Sequence, residues 1–318
     1  MPLTTDEKLL ALSHDVIEGF DKANGGIHSG FRPAHAKGIL LTGVFTPSTE
    51  AASLTSAPHI HRDSTPVTVR FSDFAGIPTV PDNDPQGASP RGCAIRFHLA
   101  EHVHTDIVAH SVNTFPSRTS EGFLDFLNAL IATDPAGPHP NAIERFLGAH
   151  PAALTFVQTP KPIPTSFAKE SFFAVSAFKF TSANGASRYG RYRILPLAGN
   201  EYLDEAGAAA RSPNFLFDEI KERVAKEPVR FGIAVQLAED DDTTDDATVR
   251  WPEDRPQLIF GEISLQEITP NNASEQQHII FDPIPRVEGI EASADAVFEP
   301  RANIYLMSGR RRRAAGTQ

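Results

Sequence analysis

Two short runs of this chain place ligating and acid–base side chains at spacings that suit redox chemistry. Near the C-terminus, the run from Phe298 to Arg313 (FEPRANIYLMSGRRRR) reads as a helix, with Pro300 suited to its first turn. Arg301, Tyr305, Ser308 and Arg312 then fall at i, i+4, i+7 and i+11, on one face of the cylinder. A fixed positive charge one turn away favours a phenolate over a phenol. Phenolate is a strong anionic iron ligand that stabilises ferric over ferrous iron. The plainer reading of the same residues is a surface helix finished by a basic tail.

The second run, Arg32 to Gly38 (RPAHAKG), sets His35 at the head of a strand. A histidine above an open iron position can take a proton from the inner oxygen of a hydroperoxide and pass it to the outer one, which makes a good leaving group. A histidine so placed is also often merely structural. Ser72, on the polar face of the next strand, could fix the imidazole tautomer by a hydrogen bond, and Arg32 and Arg70 could hold carboxylates bidentately.

The elements that must position these groups are mostly strands. Gly38 to Thr46 and Thr65 to Asp73 read as β, the second alternating Val67, Val69 and Phe71 with Thr68, Arg70 and Ser72. Arg91 to Leu99, Phe172 to Thr181, Ser187 to Leu195, Arg230 to Leu237 and Gln257 to Leu265 continue the pattern, with Asn184-Gly185 as a hairpin turn. Phe123 to Ile131 and Ile143 to Leu147 read as helices. So does the N-terminal stretch, residues 1–26, capped by Thr5 or Asp6, striped by Leu9, Leu12, Val16 and Phe20, and ended by Gly25-Gly26. No repeat or linker divides the chain. The expectation is a single α+β domain over residues 1–318, an antiparallel β-barrel with appended helices.

Composition narrows the function classes. A formal charge of −11 and a pI near 5.5 argue against nucleic-acid and anionic-membrane partners, which need a positive surface. No apolar run approaches the roughly eighteen residues of a membrane span. The acidic N-terminus lacks the basic-then-apolar signature of a secretory signal. Cys93, the only cysteine, excludes a disulfide framework, and a reducing cytoplasm is expected. Phenylalanine is abundant, with 22 residues against four tyrosines and one tryptophan. That fits either an ordinary core or the walls of a pocket for a flat apolar cofactor. The acidic run from Glu239 to Asp246 reads as a solvated loop, since it lacks the glycine and distal glutamate of a calcium site.

Taken together, these fragments resemble the haem catalase superfamily, and more closely its short branch, the catalase-related peroxidases. The R-x-x-H-A-K-G motif is matched by Arg32 to Gly38, V-R-F-S by Val69 to Ser72, the following A-G by Ala75-Gly76, and P-R-G-x-A by Pro90 to Ala94. Trp251-Pro252, the stretch Glu288 to Asp295, and R-x-x-x-Y at Arg301 to Tyr305 follow in order. The resemblance implies a haem b cofactor with Tyr305 as axial iron ligand and Arg301 as its charge partner. It implies His35 as distal acid–base, Arg32, Arg70 and Arg312 as contacts to the haem propionates, and Phe115 and Phe123 on the distal side. It implies a peroxidase acting on hydrogen peroxide or organic hydroperoxides with an external electron donor. The chain departs from the pattern where the family carries V-G-N-N-T: the equivalent here is Val108-Ala-His-Ser-Val112, with His110 in the place of the distal asparagine. It also lacks the long N-terminal arm and C-terminal helical domain of full catalases, which would open access to the haem and remove the usual arm-exchanged tetramer; a homodimer could still form.

Three other readings stay open at this level. Rearrangement of a hydroperoxide, as in the allene oxide synthases of the same fold, would need no reductant. A haem carrier or sensor would need no turnover. A non-haem metal could be clamped by His59 and His61 or by His102 and His104, if each pair shares a strand face.

Overall fold

The alternation in Thr65–Ser72 decides how that strand sits: Val67, Val69 and Phe71 are buried in the main apolar core, while Arg70 and Ser72 face the other way. The structure is a computed structural model that describes residues 2–316. The strands of its main sheet are β1 (Gly38–Pro47), β2 (Thr65–Ser72), β3 (Gly92–Ala100), β4 (Val103–His110), β5 (Phe172–Phe173), β6 (Phe178–Thr181), β7 (Ser187–Pro196), β8 (Val229–Leu237), β9 (Gln257–Ile268) and β10 (Ile290–Ala292), and Ile163–Pro164 pairs with Tyr202–Leu203 in a separate two-stranded sheet. Neighbours pair antiparallel in the order β8-β9-β1-β2-β3-β4-β5-β7, and β7 pairs back onto β8, so the ring closes as a barrel with no free edge. β6 and β10 extend it beyond β7. The expected α+β barrel is the observed architecture.

Most of the phenylalanine surplus fills the barrel. Phe45, Phe71, Phe97, Phe172, Phe180, Phe231 and Phe260 are fully buried, each contributing about 1.5–3 kcal/mol of apolar burial. The helices lie around the barrel. They include α1 (Glu7–Ala23), α2 (Ser120–Ile131), α3 (Ala142–Ala149), α4 (Pro151–Gln158), α5 (Phe215–Val224), α6 (Asn272–His278) and α7 (Phe298–Ala315). Val16 and Ile17 of α1, Leu127 of α2 and Ile304 of α7 form a second, smaller core. Asp6, rather than Thr5, caps α1, its carboxylate accepting from the N–H groups of Lys8 and Leu9.

Several elements differ from the sequence expectation. Phe172 to Thr181 is not one strand. Phe173 faces Arg193 and Phe178 faces Gly190, so residues 174–177 oppose only residues 191–192 of β7 and must leave the ladder. β4, which carries His110, was not expected as a strand. α2 starts at Ser120, three residues earlier than expected, because the Thr119 hydroxyl accepts from Gly122 N–H. Neither histidine pair shares a strand face: Pro58–Ile60 is a 3-10 turn, and His102 sits in the tight turn between β3 and β4 with φ +59°. Among the described residues no group of three metal-ligating side chains forms, and the metal-clamp reading falls. Arg255 holds the acidic loop through Glu239, Asp241 and Asp242.

Candidate active site

His35 occupies an uncommon backbone conformation. Its φ is +57°, the left-handed region, which costs a non-glycine residue on the order of 1–3 kcal/mol. The surroundings hold it there. His35 N–H donates to Phe74 O at 2.6 Å and Ala36 N–H to Ala75 O at 3.0 Å. Behind this turn, Arg91 pairs with Asp73 at 2.7 Å and Lys37 with Asp82, whose second oxygen accepts from Leu216 N–H at 2.7 Å. The imidazole itself meets Ser72 Oγ through Nδ1 at 3.1 Å and stands edge-on to Phe74.

Space for that ring is made by glycine. Gly38, Ser72, Gly92 and His110 lie in one row across β1 to β4. A Cβ on Gly92 would come within 2.5 Å of Ser72 Oγ and 2.8 Å of His35 Nδ1. On the same row, His110 Nδ1 accepts from Val112 N–H at 3.3 Å, so in the neutral ring the proton sits on Nε2. That nitrogen is buried without a partner among the described residues. Burial, and then the charge of Arg70, pushes the His35 pKa down to about 3; burial and Arg301 do the same for His110, also to about 3. Both rings are therefore neutral across ordinary working pH. Phe115 lies beside His110, 6.4 Å between centroids, and stacks on Phe123 at 5.4 Å.

Three arginines converge without a carboxylate partner among the described residues. Arg32 donates to the carbonyls of Gln276 and Ile279, both at 3.1 Å. Arg70 reaches Gln276 Oε1 at 3.0 Å and His35 O at 2.9 Å; Arg312 reaches Ser308 Oγ and Ile279 O, both at 2.9 Å. No ion pair joins any of them to a carboxylate among the described residues, whereas Arg91, Arg96 and Arg311 each have one. Burial and mutual repulsion push the pKa of Arg32 and Arg70 down, and burial that of Arg312. Tyr305, on the same α7 face as Arg312, receives Arg301 Nη2 on its hydroxyl at 3.2 Å.

One cavity of about 1240 Å³ unites these groups. It is lined by Arg32, His35, Arg70, Ser72, His110, Phe115, Phe123, Arg301, Tyr305 and Arg312, every residue that the haem reading of the sequence singled out, and by none of the histidines of the metal-clamp reading. Sequence reasoning missed others. Gln276 of α6 bonds Arg70 and, through Nε2, Gly38 O at 2.9 Å; no local signal marks it. Phe20 and Phe74 line the cavity too, and Phe20 was expected only as part of the α1 stripe. Gly38 and Gly92 lie inside quoted motifs, yet their steric role appears only in three dimensions.

A family model described as catalase matches residues 30–318. The chain belongs to the catalase family. It is 33% identical over 313 residues to the catalase-related peroxidase of Mycolicibacterium paratuberculosis, covering 96% of this chain and 94% of that one. It is 30% identical to the catalase-related peroxidase of Synechococcus elongatus, covering 89% and 84%. Catalase A from Saccharomyces cerevisiae shares the fold with a TM-score of 0.78 at 22% identity, and this chain spans 65% of that structure. It spans 42% of Catalase-2 from Bacillus subtilis.

Membership in the catalase family implies a haem, and the residues present fit one. A flat dianionic macrocycle needs apolar walls, cations free to meet its carboxylates and an anionic ligand for its iron. Phe20, Phe74, Phe115 and Phe123 supply walls, Arg32, Arg70 and Arg312 are cations without carboxylate partners among the described residues, and Tyr305 supplies a phenol. The buried, unpartnered His110 Nε2 and Arg312 Nε are the polar atoms that a bound group would satisfy.

Proposed function

We propose that this chain reduces hydroperoxides at a b-type haem whose iron is held by Tyr305, taking electrons from an external donor. One observation carries the reading: a single cavity joins a phenol, three uncompensated arginines and a neutral, oriented histidine. The bound haem supplies the redox-active iron at which the O–O bond is broken. Arg301 donates through Nη2 to the Tyr305 oxygen and orients the atom that would hold the iron. Arg32, Arg70 and Arg312 would bind the two propionates. His35, neutral and steadied by Ser72, accepts the proton of the hydroperoxide and returns it to the departing oxygen. His110 offers its Nε2 proton as a second hydrogen bond, the part a distal asparagine plays elsewhere in the family.

Overall, one hydroperoxide, two electrons and two protons give an alcohol and one water, or two waters when the substrate is hydrogen peroxide. Organic hydroperoxides are included because the cavity extends well past the reacting groups. Two relatives carry the name catalase-related peroxidase, which favours reductive turnover over rearrangement. A cytoplasmic setting is our reading of a chain whose single cysteine is buried.

The test is Tyr305→Phe, which keeps the ring and removes the oxygen. Haem content should fall, or the ferric spectrum should lose its phenolate character, and dye oxidation driven by hydrogen peroxide should fall with it. Unchanged content and spectrum would show that another group holds the iron.

A further inference from the structure

The cavity does not end at His35 and His110. Its outer part is walled by α2, α3 and α4 through Leu130, Ile131, Ile143, Leu147, Phe156 and Val157. Leu130, Ile131 and Val157 are 42%, 40% and 44% exposed, an apolar stretch that a hydrophobic ligand would cover. At its rim stands Thr159, just past the end of α4, and two cations meet there. Lys161 Nζ donates to Thr159 O at 3.0 Å, and to Phe156 O and Val157 O at 2.8 and 3.1 Å. Arg250 Nη2 donates to Thr159 Oγ1 at 2.9 Å, and its Nε to Asn113 O at 3.1 Å.

All of these partners are neutral, three backbone carbonyls for Lys161 and a hydroxyl and a carbonyl for Arg250. Neither Lys161 nor Arg250 forms an ion pair among the described residues, in a chain whose net charge is −11. Glu253 also reaches Asn113, but it is paired with Arg193 at 3.0 Å. Lys161 lines the cavity half-buried, its ammonium 5.0 Å from the Phe156 ring centroid. An apolar cavity that holds an acid–base histidine and is bordered, at Thr159, by two cations without carboxylate partners among the described residues has the polarity of one molecule, read from tail to head.

We infer that the outer cavity seats an amphiphilic hydroperoxide, a long acyl chain bearing a carboxylate head. The carboxylate docks between Lys161 and Arg250, and the chain lies along the α2–α4 wall with its hydroperoxide group delivered toward His35. This rests on the cavity being the peroxide site, as proposed above. The reaction is unchanged: the O–O bond breaks, the hydroperoxide becomes the hydroxy acid and water, and a phenolic donor supplies the two electrons.

The test uses the haem-loaded full chain and four substrates: the hydroperoxide of an unsaturated C18 acid, its methyl ester, cumene hydroperoxide and hydrogen peroxide. The acid should be preferred to its ester through a lower KM. Lys161→Met/Arg250→Gln should raise KM for the acid about three- to tenfold, as expected for two partly solvated ion pairs, and leave it unchanged for the ester. Hydrogen peroxide, which has no head to seat, is the internal reference. Calorimetry with a saturated C16 carboxylate, the matching alcohol and the matching alkyl phosphate reads the seat without turnover; the carboxylate should bind tightest, and the double variant should abolish that preference. If the double variant folds poorly, Arg250→Gln alone, at an exposed position, must show the same selective effect. Equal KM for acid and ester in the parent protein, or tighter binding of the phosphate or the alcohol, overturns the proposal. Loss of all peroxide turnover with carboxylate binding intact would instead count against the peroxidase reading.

Discussion

His35 and His59 are two buried histidines near opposite ends of β1, and they have different fates. His59 is 1% exposed and packed by Phe45, Phe97 and Phe260, with ring centroids at 6.0, 4.8 and 5.8 Å. Burial, followed by the charge of Arg62, pushes its pKa down to about 4, close to the value of about 3 for His35. By titration the two look alike. They differ in what they touch. His59 leaves Nδ1 without a partner among the described residues, in an aromatic box, whereas His35 is oriented by Ser72 and faces a cavity that also holds Tyr305. A depressed pKa measures desolvation; a cavity and an orienting partner make it usable.

The contrast can be broken by mutation. His35→Ala should lower peroxidase turnover about 10²–10⁴-fold, the usual contribution of a general acid–base group. His59→Leu should leave turnover of the folded protein within about twofold. Equal losses in a steady-state dye assay would mean that the cavity is not what separates them.

Arg70→Lys keeps the charge but loses the guanidinium fork, so haem should leave faster, by about tenfold. Transfer of haem to an excess of apo-globin measures this, and an unchanged off-rate would remove Arg70 from the cofactor's hold. Ser72→Ala should reduce kcat only about two- to tenfold, the net worth of one neutral hydrogen bond, with KM for hydrogen peroxide little changed. A loss as large as that of His35→Ala would show that Ser72 does more than orient the ring.

The smallest effect is on stability. His59 is neutral in the native protein down to about pH 4, while the unfolded chain takes up its proton near pH 6.5. Its contribution is complete above pH 6.5 and is lost as pH falls through about 4, up to roughly 3 kcal/mol. In urea titrations between pH 7 and 4, His59→Leu should therefore show a shallower acid loss, by about one proton. An unchanged slope would mean that the ring titrates normally in the fold.

The motifs made the ends of β1, β2 and α7 legible because they set specific side chains at fixed spacing. What stayed hidden depends on contacts far apart in sequence. β4 escaped because Val103–His110 mixes histidine and aspartate with its apolar residues; Asp106 is acceptable inside because Arg96 across the ladder takes it bidentately, at 2.9 and 2.8 Å, and Asp282 N–H donates to it at 2.7 Å. Gln276 carries no mark of its partnership with Arg70, 206 residues away. α4 does carry a local signal, Pro151 at its first position. The left-handed turn at His35 could not be read from a histidine followed by alanine and lysine.

The unpaired arginines also bear on how long the protein survives. Until an anion arrives, Arg32, Arg70 and Arg312 repel one another in the folded chain, and unfolding relieves that repulsion. A ligand that binds only the folded form adds RT ln(1 + [L]/Kd), about 2.7 kcal/mol at a hundredfold excess over Kd, and here it also silences the repulsion. Stability differences of 1–2 kcal/mol are enough to change abundance several-fold through proteolysis of the open state. Porphyrin supply, as much as the rate of translation, would then set how many copies a cell keeps.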